Sequence, residues 1–296
     1  MELVKINKHI VKPIPLPNAD LRPVKGAEIC KKPFGTIFNV AKRESGKTSV
    51  TFHFIKHCIT RDTIVIIFCS SLYNDDNWIQ IRKWLKKKGI ETEEYTSTID
   101  DNGVNLIQEL FERLRDEAIE REKNEDENNE PTQMEKTDMI CRYFDKHFRC
   151  REESEPQKEQ KSKYLAPKYL IIFDDISSEL KSPWLIKLLK ESRHYHARII
   201  INSQYPLDLR PESRSQINLW LLFRGLPLEK LEAIWKDSDI SIPLEHWIQG
   251  YKIATKVTDK ETHPFFYADV KSNPPDLRRN FNRRIIFHNN PEDETF

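Results

Sequence analysis

The stretch Ala41-Lys-Arg-Glu-Ser-Gly-Lys-Thr48 constrains the fold of this chain more than any other feature. It lies between an apolar, β-type run, Phe34–Val40, and a segment with helical character, residues 47–60. A strand, a tight loop and a helix in that order place backbone N–H groups at the positive end of the helix, where phosphate groups bind. The spacing therefore predicts a nucleotide-phosphate loop formed by Ala41, Lys42, Arg43, Glu44, Ser45, Gly46, Lys47, Thr48 and Ser49.

Three residues of that loop have separate predicted roles. Gly46 permits close approach of the backbone to the phosphates, and Lys47 would neutralise the β- and γ-phosphates. The Thr48 hydroxyl is placed to bind Mg²⁺. Ala41 stands where such loops usually carry their first glycine, which is a small departure from the pattern.

A second motif is the apolar run Tyr169–Phe173, which is followed by Asp174 and Asp175. An acidic residue at the end of a buried parallel strand points into the crevice where ligands bind in open α/β sheets. Asp174 would hold Mg²⁺ through water, and Asp175 would be the base that polarises an attacking water. The alternative is that the two residues only cap the helix that follows.

A third motif is the apolar strand Ala197–Ser203, which ends next to Gln204. An amide at this strand tip would lie beside the two acids and could sense the γ-phosphate. Strand ends also commonly finish in Asn, Ser or Gln turns without any catalytic role.

The order of the segments predicts the fold class. Continuous apolar runs such as Thr63–Ser70 are typical of strands covered on both faces, and they alternate here with amphipathic helices such as Asn77–Lys88. We predict an α/β fold: a RecA-like P-loop NTPase of the ASCE type, with a mostly parallel central sheet and helices on both faces. Two β-like segments, Gly250–Val257 and Pro264–Val270, would close the core.

The predicted domain organisation has three parts. Residues 1–33 form an N-terminal arm, residues 34–270 the P-loop domain, and residues 271–296 a basic C-terminal tail. A charged, helical and partly disordered insertion, about residues 105–166, interrupts the domain, because acidic and polar stretches there are nearly devoid of apolar residues.

Composition excludes several classes of protein. Of 296 residues 38% are hydrophobic and 32% charged, and the net charge is +1, so a globally basic nucleic-acid coat is excluded. The 5 cysteines are odd in number and widely spaced, which indicates reduced thiols. The apolar runs are too short to predict a membrane span, and the N-terminus lacks the apolar core of a signal peptide.

Together the segments AKRESGKT, IIFDDI, ESRHYHARIIINSQ and RSQINLWLLFRG resemble the FtsK–HerA superfamily. Within it, the chain is similar to the genome-packaging ATPases of poxviruses, giant viruses and virophages. The similarity covers roughly residues 34–235. Two features depart from the superfamily's commonest pattern, Ala41 and the aspartate, rather than glutamate, at Asp175.

The resemblance implies a DNA-stimulated ATPase that uses ATP and Mg²⁺ and threads double-stranded DNA into a preformed capsid. It implies a homo-oligomeric ring, a pentamer or hexamer, that acts with a capsid vertex or portal protein at a viral assembly site in the host cytoplasm and can accompany the virion. An arginine finger would complete each site from the neighbouring subunit. Arg193 is the first candidate for it, and Arg214 and Arg224 are the alternates.

The predicted DNA contact is the basic tail, where Arg278, Arg279, Arg283 and Arg284 stand close together. A tail of this kind could instead dock on capsid protein or on a neighbouring subunit. Three other functions stay open at this point: a helicase-like or plasmid-transfer ATPase, a P-loop kinase that is indifferent to DNA, and a nucleotide-binding switch that does not hydrolyse.

Overall fold

A single mixed β-sheet forms the centre of the molecule. The computed structural model describes residues 20–129 and 162–287, and within them the sheet has nine strands in the order β3-β2-β4-β5-β1-β6-β7-β8-β9. The strands are β1 (Gly35–Val40), β2 (Ile64–Cys69), β3 (Thr92–Tyr95), β4 (Tyr169–Asp174), β5 (Ala197–Ser203), β6 (Ile217–Phe223), β7 (Phe265–Asp269), β8 (Asp276–Arg279) and β9 (Arg283–Arg284).

The helices lie in the connections between strands. They are α1 (Lys47–Cys58), α2 (Asp76–Lys88), α3 (Leu106–Asn129), α4 (Pro183–Glu191), α5 (Pro211–Arg214), α6 (Leu228–Ser238) and α7 (Leu244–Ala254). Among these described helices none combines the length and the apolar character that crossing a bilayer requires.

The pairing of strands confirms the predicted fold class. Strands β1 to β6 pair in parallel, and β7, β8 and β9 extend the sheet in antiparallel fashion. Strand β5 lies between β1, which carries the phosphate loop, and β4, which carries the two acids. The insertion of one strand between those two is the arrangement of the ASCE class, which the order of segments in the sequence could not establish.

Burial on both faces explains the continuous apolar runs. In β2, Val65 and Ile67 belong to the apolar cluster on one face of the sheet, and Ile66 and Phe68 to the cluster on the other. Successive side chains of a strand point to opposite faces, so a strand covered by helices on both sides is apolar at every position. The fold thereby fixes two edges: an amino edge, where β1 to β6 begin, and a carboxyl edge, where they end.

The expected strand Gly250–Val257 is instead the second half of helix α7. Trp247, Tyr251 and Ala254 are buried, and their spacing of four and three residues is that of one helix face. A short apolar run is compatible with a strand or a helix, and the helical spacing of apolar residues here begins at Leu244, upstream of Gly250. The other predicted strand is confirmed as β7, at Phe265–Asp269.

The insertion predicted at 105–166 starts later than expected. The first half of α3 contributes Ile107, Leu110, Phe111, Leu114 and Ala118 to the core, at the three- and four-residue spacing of an amphipathic helix. At the other end, Leu165 pairs with Val24 of the N-terminal segment. Residues 130–161, the greater part of the predicted insertion, lie outside the described residues.

Both termini are partly integrated into the fold. Ile29 and Cys30 of the predicted N-terminal arm are buried, and the free thiols of Cys58 and Cys69 lie in the same apolar cluster. Residues 1–19 and 288–296 lie outside the described residues, as do Cys141 and Cys150.

The predicted basic tail continues the sheet as β8 and β9 and is anchored by a buried carboxylate. Asp276 is 1% exposed and accepts charge-assisted contacts from Arg278 at 2.6 Å, Lys31 at 3.2 Å and Arg284 at 3.2 Å. Burial alone would raise the pKa of Asp276, but these cations outweigh it and hold the pKa at about 2. The buried carboxylate thus ties the tail to the N-terminal segment and to the strand that follows it.

We expect Asp276→Asn to lower the free energy of unfolding by about 1–2 kcal/mol at pH 7, because the depressed pKa of Asp276 is a stabilising interaction. That contribution is complete above the ordinary pKa of 3.8 and is lost as the pH falls towards 2. Denaturant unfolding of the wild type and Asp276→Asn at several pH values measures this contribution, and the difference between their free energies of unfolding should narrow below pH 4. The exposed Asp259→Asn is the matched control, and equal stability of Asp276→Asn and wild type at pH 7 would contradict the prediction.

Candidate functional site: a phosphate pocket at the carboxyl edge

The loop between β1 and α1 has the backbone geometry of a phosphate cradle. Gly46 precedes the first turn of α1 with φ 90°, in the left-handed region that favours glycine, and no side chain caps the helix there. The first N–H groups of α1 are therefore available to an anion. Ala41 does not have a positive φ, and its N–H donates to the Ser203 carbonyl at 3.0 Å, which explains why a side chain is tolerated at the usual first glycine.

The loop and the two predicted acids line one cavity. Its volume is about 320 Å³, and it contains the predicted metal ligands Thr48 and Asp174 together with Asp175 and Lys47. The full lining is Arg43, Glu44, Ser45, Gly46, Lys47, Thr48, Ser49, Asp75, Asn77, Asp174 and Asp175. The structure thus brings most of the predicted phosphate-loop residues and both acids together, in agreement with their expected positions.

Asp174, the last residue of β4, is a buried carboxylate held in place by an indole. Its side chain accepts a 2.9 Å hydrogen bond from Trp78 Nε1, and both residues are almost fully buried. Burial raises the pKa of Asp174 to about 6, while the nearby Lys47 ammonium lowers it and Asp175 adds to the rise. Trp78 has no recognisable sequence signal, because its spacing on α2 is that of an ordinary core residue.

Asp175 stands in a different environment, one residue further on. It adopts φ 53°, a left-handed conformation that costs a non-glycine residue roughly 1–2 kcal/mol. The Ser71 hydroxyl donates to its Oδ2 at 3.2 Å, the Ser70 hydroxyl donates to its carbonyl at 2.7 Å, and Lys47 Nζ lies 3.9 Å from its Oδ1. This bend leaves the carboxylate 42% exposed and within the cavity.

The strand tip of β5 contributes an amide, but from Asn202 and not from Gln204. Asn202 is paired across the sheet with Asp174, and its amide lowers the pKa of that carboxyl. The Asn202 amide also accepts from Asn39 at 2.7 Å and donates to Thr51 of α1 at 3.0 Å. Gln204 instead lines a neighbouring cleft, so its γ-phosphate role stays a prediction.

The Thr48 hydroxyl and the Asp174 carboxylate, which line the same cavity, are suited to holding a magnesium ion. A hydroxyl and a carboxylate are hard oxygen donors, and Mg²⁺ is usually held by one or two carboxylates and substrate phosphates. Burial already penalises the negative charge of Asp174, so a cation at this point would relieve that cost.

The segment just ahead of β7 approaches the phosphate loop. A Cβ placed on Gly46 would lie 3.7 Å from the Cβ of His263 in that segment. Glu261 of the same segment forms salt bridges with Arg279 at 2.6 Å and Arg283 at 3.5 Å. Two of the four arginines expected to grip DNA therefore hold a loop beside the nucleotide pocket.

The arginine-finger candidates occupy three distinct settings. Arg193 is exposed and precedes the start of β5, so it lies at the amino edge, opposite the phosphate loop. Arg214 is buried and is occupied by Asp237 and by the Leu209 carbonyl, both at 2.6 Å. Arg224 is exposed and follows β6, on the same edge as the phosphate loop.

Strand order and loop geometry together define a P-loop NTPase fold of the ASCE class with a RecA-like core. No family model matches the sequence, and no curated protein matches it. Among solved structures, the chain is similar to the genome packaging NTPase B204 of Sulfolobus turreted icosahedral virus 2 in complex with AMP. The identity is 13%, the TM-score 0.47, and 86% of this chain and 100% of that chain are covered.

Two larger proteins are similar at comparable distance. The pCW3 conjugation coupling protein TcpA has 13% identity, a TM-score of 0.45 and coverage of 86% of this chain and 61% of that one. The type VII secretion ATPase EccC of Thermomonospora curvata, as its cytoplasmic domain, has 10% identity, a TM-score of 0.44 and coverage of 84% and 25%. These are distant likenesses of architecture.

We expect Asp174→Asn to raise the free energy of unfolding by about 1–2 kcal/mol at pH 7, without nucleotide or divalent metal, because it removes a buried charge. The pKa of Asp174 is raised, so its favourable contribution is complete below the ordinary 3.8 and is lost as the pH rises through about 6. Denaturant unfolding in a chelator should therefore show the two proteins converging below pH 4. Asp175→Asn, at an exposed carboxylate, is the control, and a destabilised Asp174→Asn would refute the prediction.

Proposed function

We propose that this chain is an ATP-hydrolysing motor that translocates double-stranded DNA and packages a viral genome into a preformed capsid. The observation that carries the enzymatic part is the meeting of Lys47 and Thr48 with two unlike carboxylates in one cavity. Asp174 is buried and fixed, as a metal ligand should be, and Asp175 is exposed to the cavity, as a base should be.

The residues divide the reaction among them. Lys47 and the N–H groups at the start of α1 bind the β- and γ-phosphates, and Asp175 orients a water and accepts its proton as the water oxygen bonds to the γ-phosphorus. The bond to the β–γ bridging oxygen breaks, which leaves ADP and inorganic phosphate. Bound Mg²⁺, held through Thr48 and Asp174, would neutralise charge on the phosphates. Bound phosphates would also draw Lys47 away from Asp175 and free that carboxylate.

A homo-oligomeric ring, a pentamer or hexamer, is part of the proposal. Arg193 cannot reach the nucleotide pocket of its own subunit, because the length of the sheet separates the two edges. In a head-to-tail ring it would face the pocket of a neighbour, where it could stabilise charge on the transferring phosphoryl group. Arg214 is less suited to this role, because it is buried and paired with Asp237.

The genome-packaging part has separate support. It is the run of segments AKRESGKT, IIFDDI, ESRHYHARIIINSQ and RSQINLWLLFRG, which resembles the packaging branch of the FtsK–HerA superfamily. On that basis the partners would be double-stranded DNA and a capsid vertex or portal protein, and the site of action a viral assembly site in the host cytoplasm.

Steady-state ATP hydrolysis with and without duplex DNA tests this function. We expect DNA to raise the hydrolysis rate of the wild type. Lys47→Ala and Asp175→Asn should each lower that rate by at least about 100-fold, because Lys47 binds the reacting phosphate and Asp175 accepts the proton of the attacking water. Lys56→Ala, at an exposed lysine of the same helix, is the control. If the rate of hydrolysis does not change with DNA and the protein phosphorylates a small metabolite, the motor proposal is wrong and the protein is a P-loop kinase.

Mixing of inactive subunits tests Arg193. Arg193→Ala retains Asp175, and Asp175→Asn retains Arg193, so a mixture of the two should regain hydrolysis at roughly a quarter of the interfaces of a randomly mixed ring. Arg61→Ala, which also removes an exposed arginine from the amino edge, should be fully active alone. An Arg193→Ala protein that is active, or a mixture as inactive as its components, would exclude a finger from the neighbouring subunit.

A further inference from the structure

A second cleft lies at the carboxyl edge beside the phosphate pocket, with a volume of about 300 Å³. It is built where three adjacent strands, β5, β1 and β6, come to an end. Four cationic side chains line it, Lys42, Arg43, Arg224 and Lys230, and no carboxylate does.

These cations are not neutralised by the described part of the chain, where none of the four has an ion-pair partner. The Lys230 ammonium lies 4.6 Å from the centre of the Tyr205 ring, and the end of the Lys42 side chain lies against Gly225. The arginines of β8 differ, because Arg278 and Arg279 are bound to acids at 2.6 Å. The cleft therefore concentrates uncompensated positive charge, which attracts anions.

We propose that this cleft binds one or two backbone phosphates of duplex DNA and is the DNA contact of the motor; the inference rests on the proposed function. The nucleotide's own phosphates belong to the neighbouring pocket, where the acids and Thr48 can hold a metal with them. No carboxylate lines the cleft, so a phosphate bound there would be held by cationic side chains and not through a metal ion. Contacts to phosphates are independent of base sequence, as a translocase requires.

The rim of the cleft suits a sugar–phosphate chain. Tyr205 lines the cleft and is 55% exposed, and Leu207 and Leu228, which lie within two residues of lining residues in the sequence, are 48% and 51% exposed. A tyrosine hydroxyl can donate to a phosphate oxygen, and apolar side chains can contact the sugar.

The position of the cleft couples DNA to ATP. Lys42 and Arg43 belong to the same short loop as Gly46 and Lys47, so a phosphate bound in the cleft acts directly on the loop that holds the nucleotide. Gln204 stands in the wall of the cleft, at the end of the strand that carries Asn202 and next to the loop. Stimulation of hydrolysis by DNA then needs no movement relayed across the molecule.

The test is duplex binding as a function of salt, measured by fluorescence anisotropy with a labelled duplex. For Arg224→Gln/Lys230→Gln we expect the magnitude of the slope of log affinity against log salt to fall by about 0.9 if the cleft binds one phosphate and about 1.8 if it binds two, since each phosphate contact contributes about 0.9. Either single variant should lose about half of that. The control is Arg283→Gln/Arg284→Gln, which removes two exposed arginines of the predicted tail patch and should leave the slope unchanged.

Binding of ATP, measured by calorimetry, separates the possible failures. The expected result is unchanged ATP affinity in the cleft variant with weakened DNA binding. If the cleft variant loses ATP affinity as much as DNA affinity, the cleft belongs to the nucleotide site. If the salt dependence weakens only in the tail variant, β9 is the DNA contact. Either result overturns this inference and leaves the proposed function standing. A wild type that binds ATP but no duplex at any salt overturns the proposed function itself.

Discussion

Much of this molecule depends on one buried carboxylate, Asp174, at the end of β4. The sheet around it is closed on both faces by apolar side chains, so its charge can be kept only by neighbours that bond to it. Trp78 does so from α2, Asn202 stands beside it on β5, and Lys47 faces it from the phosphate loop. Four elements are thereby fixed relative to one another by a group whose ionisation the fold itself disfavours.

Two neighbouring acids with opposite environments follow from a single backbone bend. Asp174 ends the regular strand and faces inward, whereas the left-handed conformation of Asp175 turns the next side chain into the cavity. The serines after β2 hold that bend from the adjacent strand end. Two carboxylates can thus be consecutive in sequence and yet differ in exposure, at 2% for Asp174 and 42% for the Asp175 side chain.

The sequence allowed the parallel part of the sheet and the phosphate pocket to be predicted, because both depend on local patterns. Strands β2 and β4 are nearly continuous apolar runs, β5 has an apolar centre, and the loop spacing around Gly46 is specific. Contacts between distant segments were not visible. Trp78 looks like any core residue until β4 is placed beside α2, and the arginines of β8 look like a free basic tail until Asp276 is seen among them.

Both borders of the nine-stranded sheet are unsuited to accepting another strand. At one border β3 is four residues long, and its Glu93 and Glu94 are engaged by Arg113 and Arg82. At the other, β9 consists of two exposed arginines. Charged and very short border strands oppose the edge-to-edge pairing that leads to fibrils. Two copies of this chain are therefore hindered from joining their sheets into one through the border strands, even where many copies are crowded together.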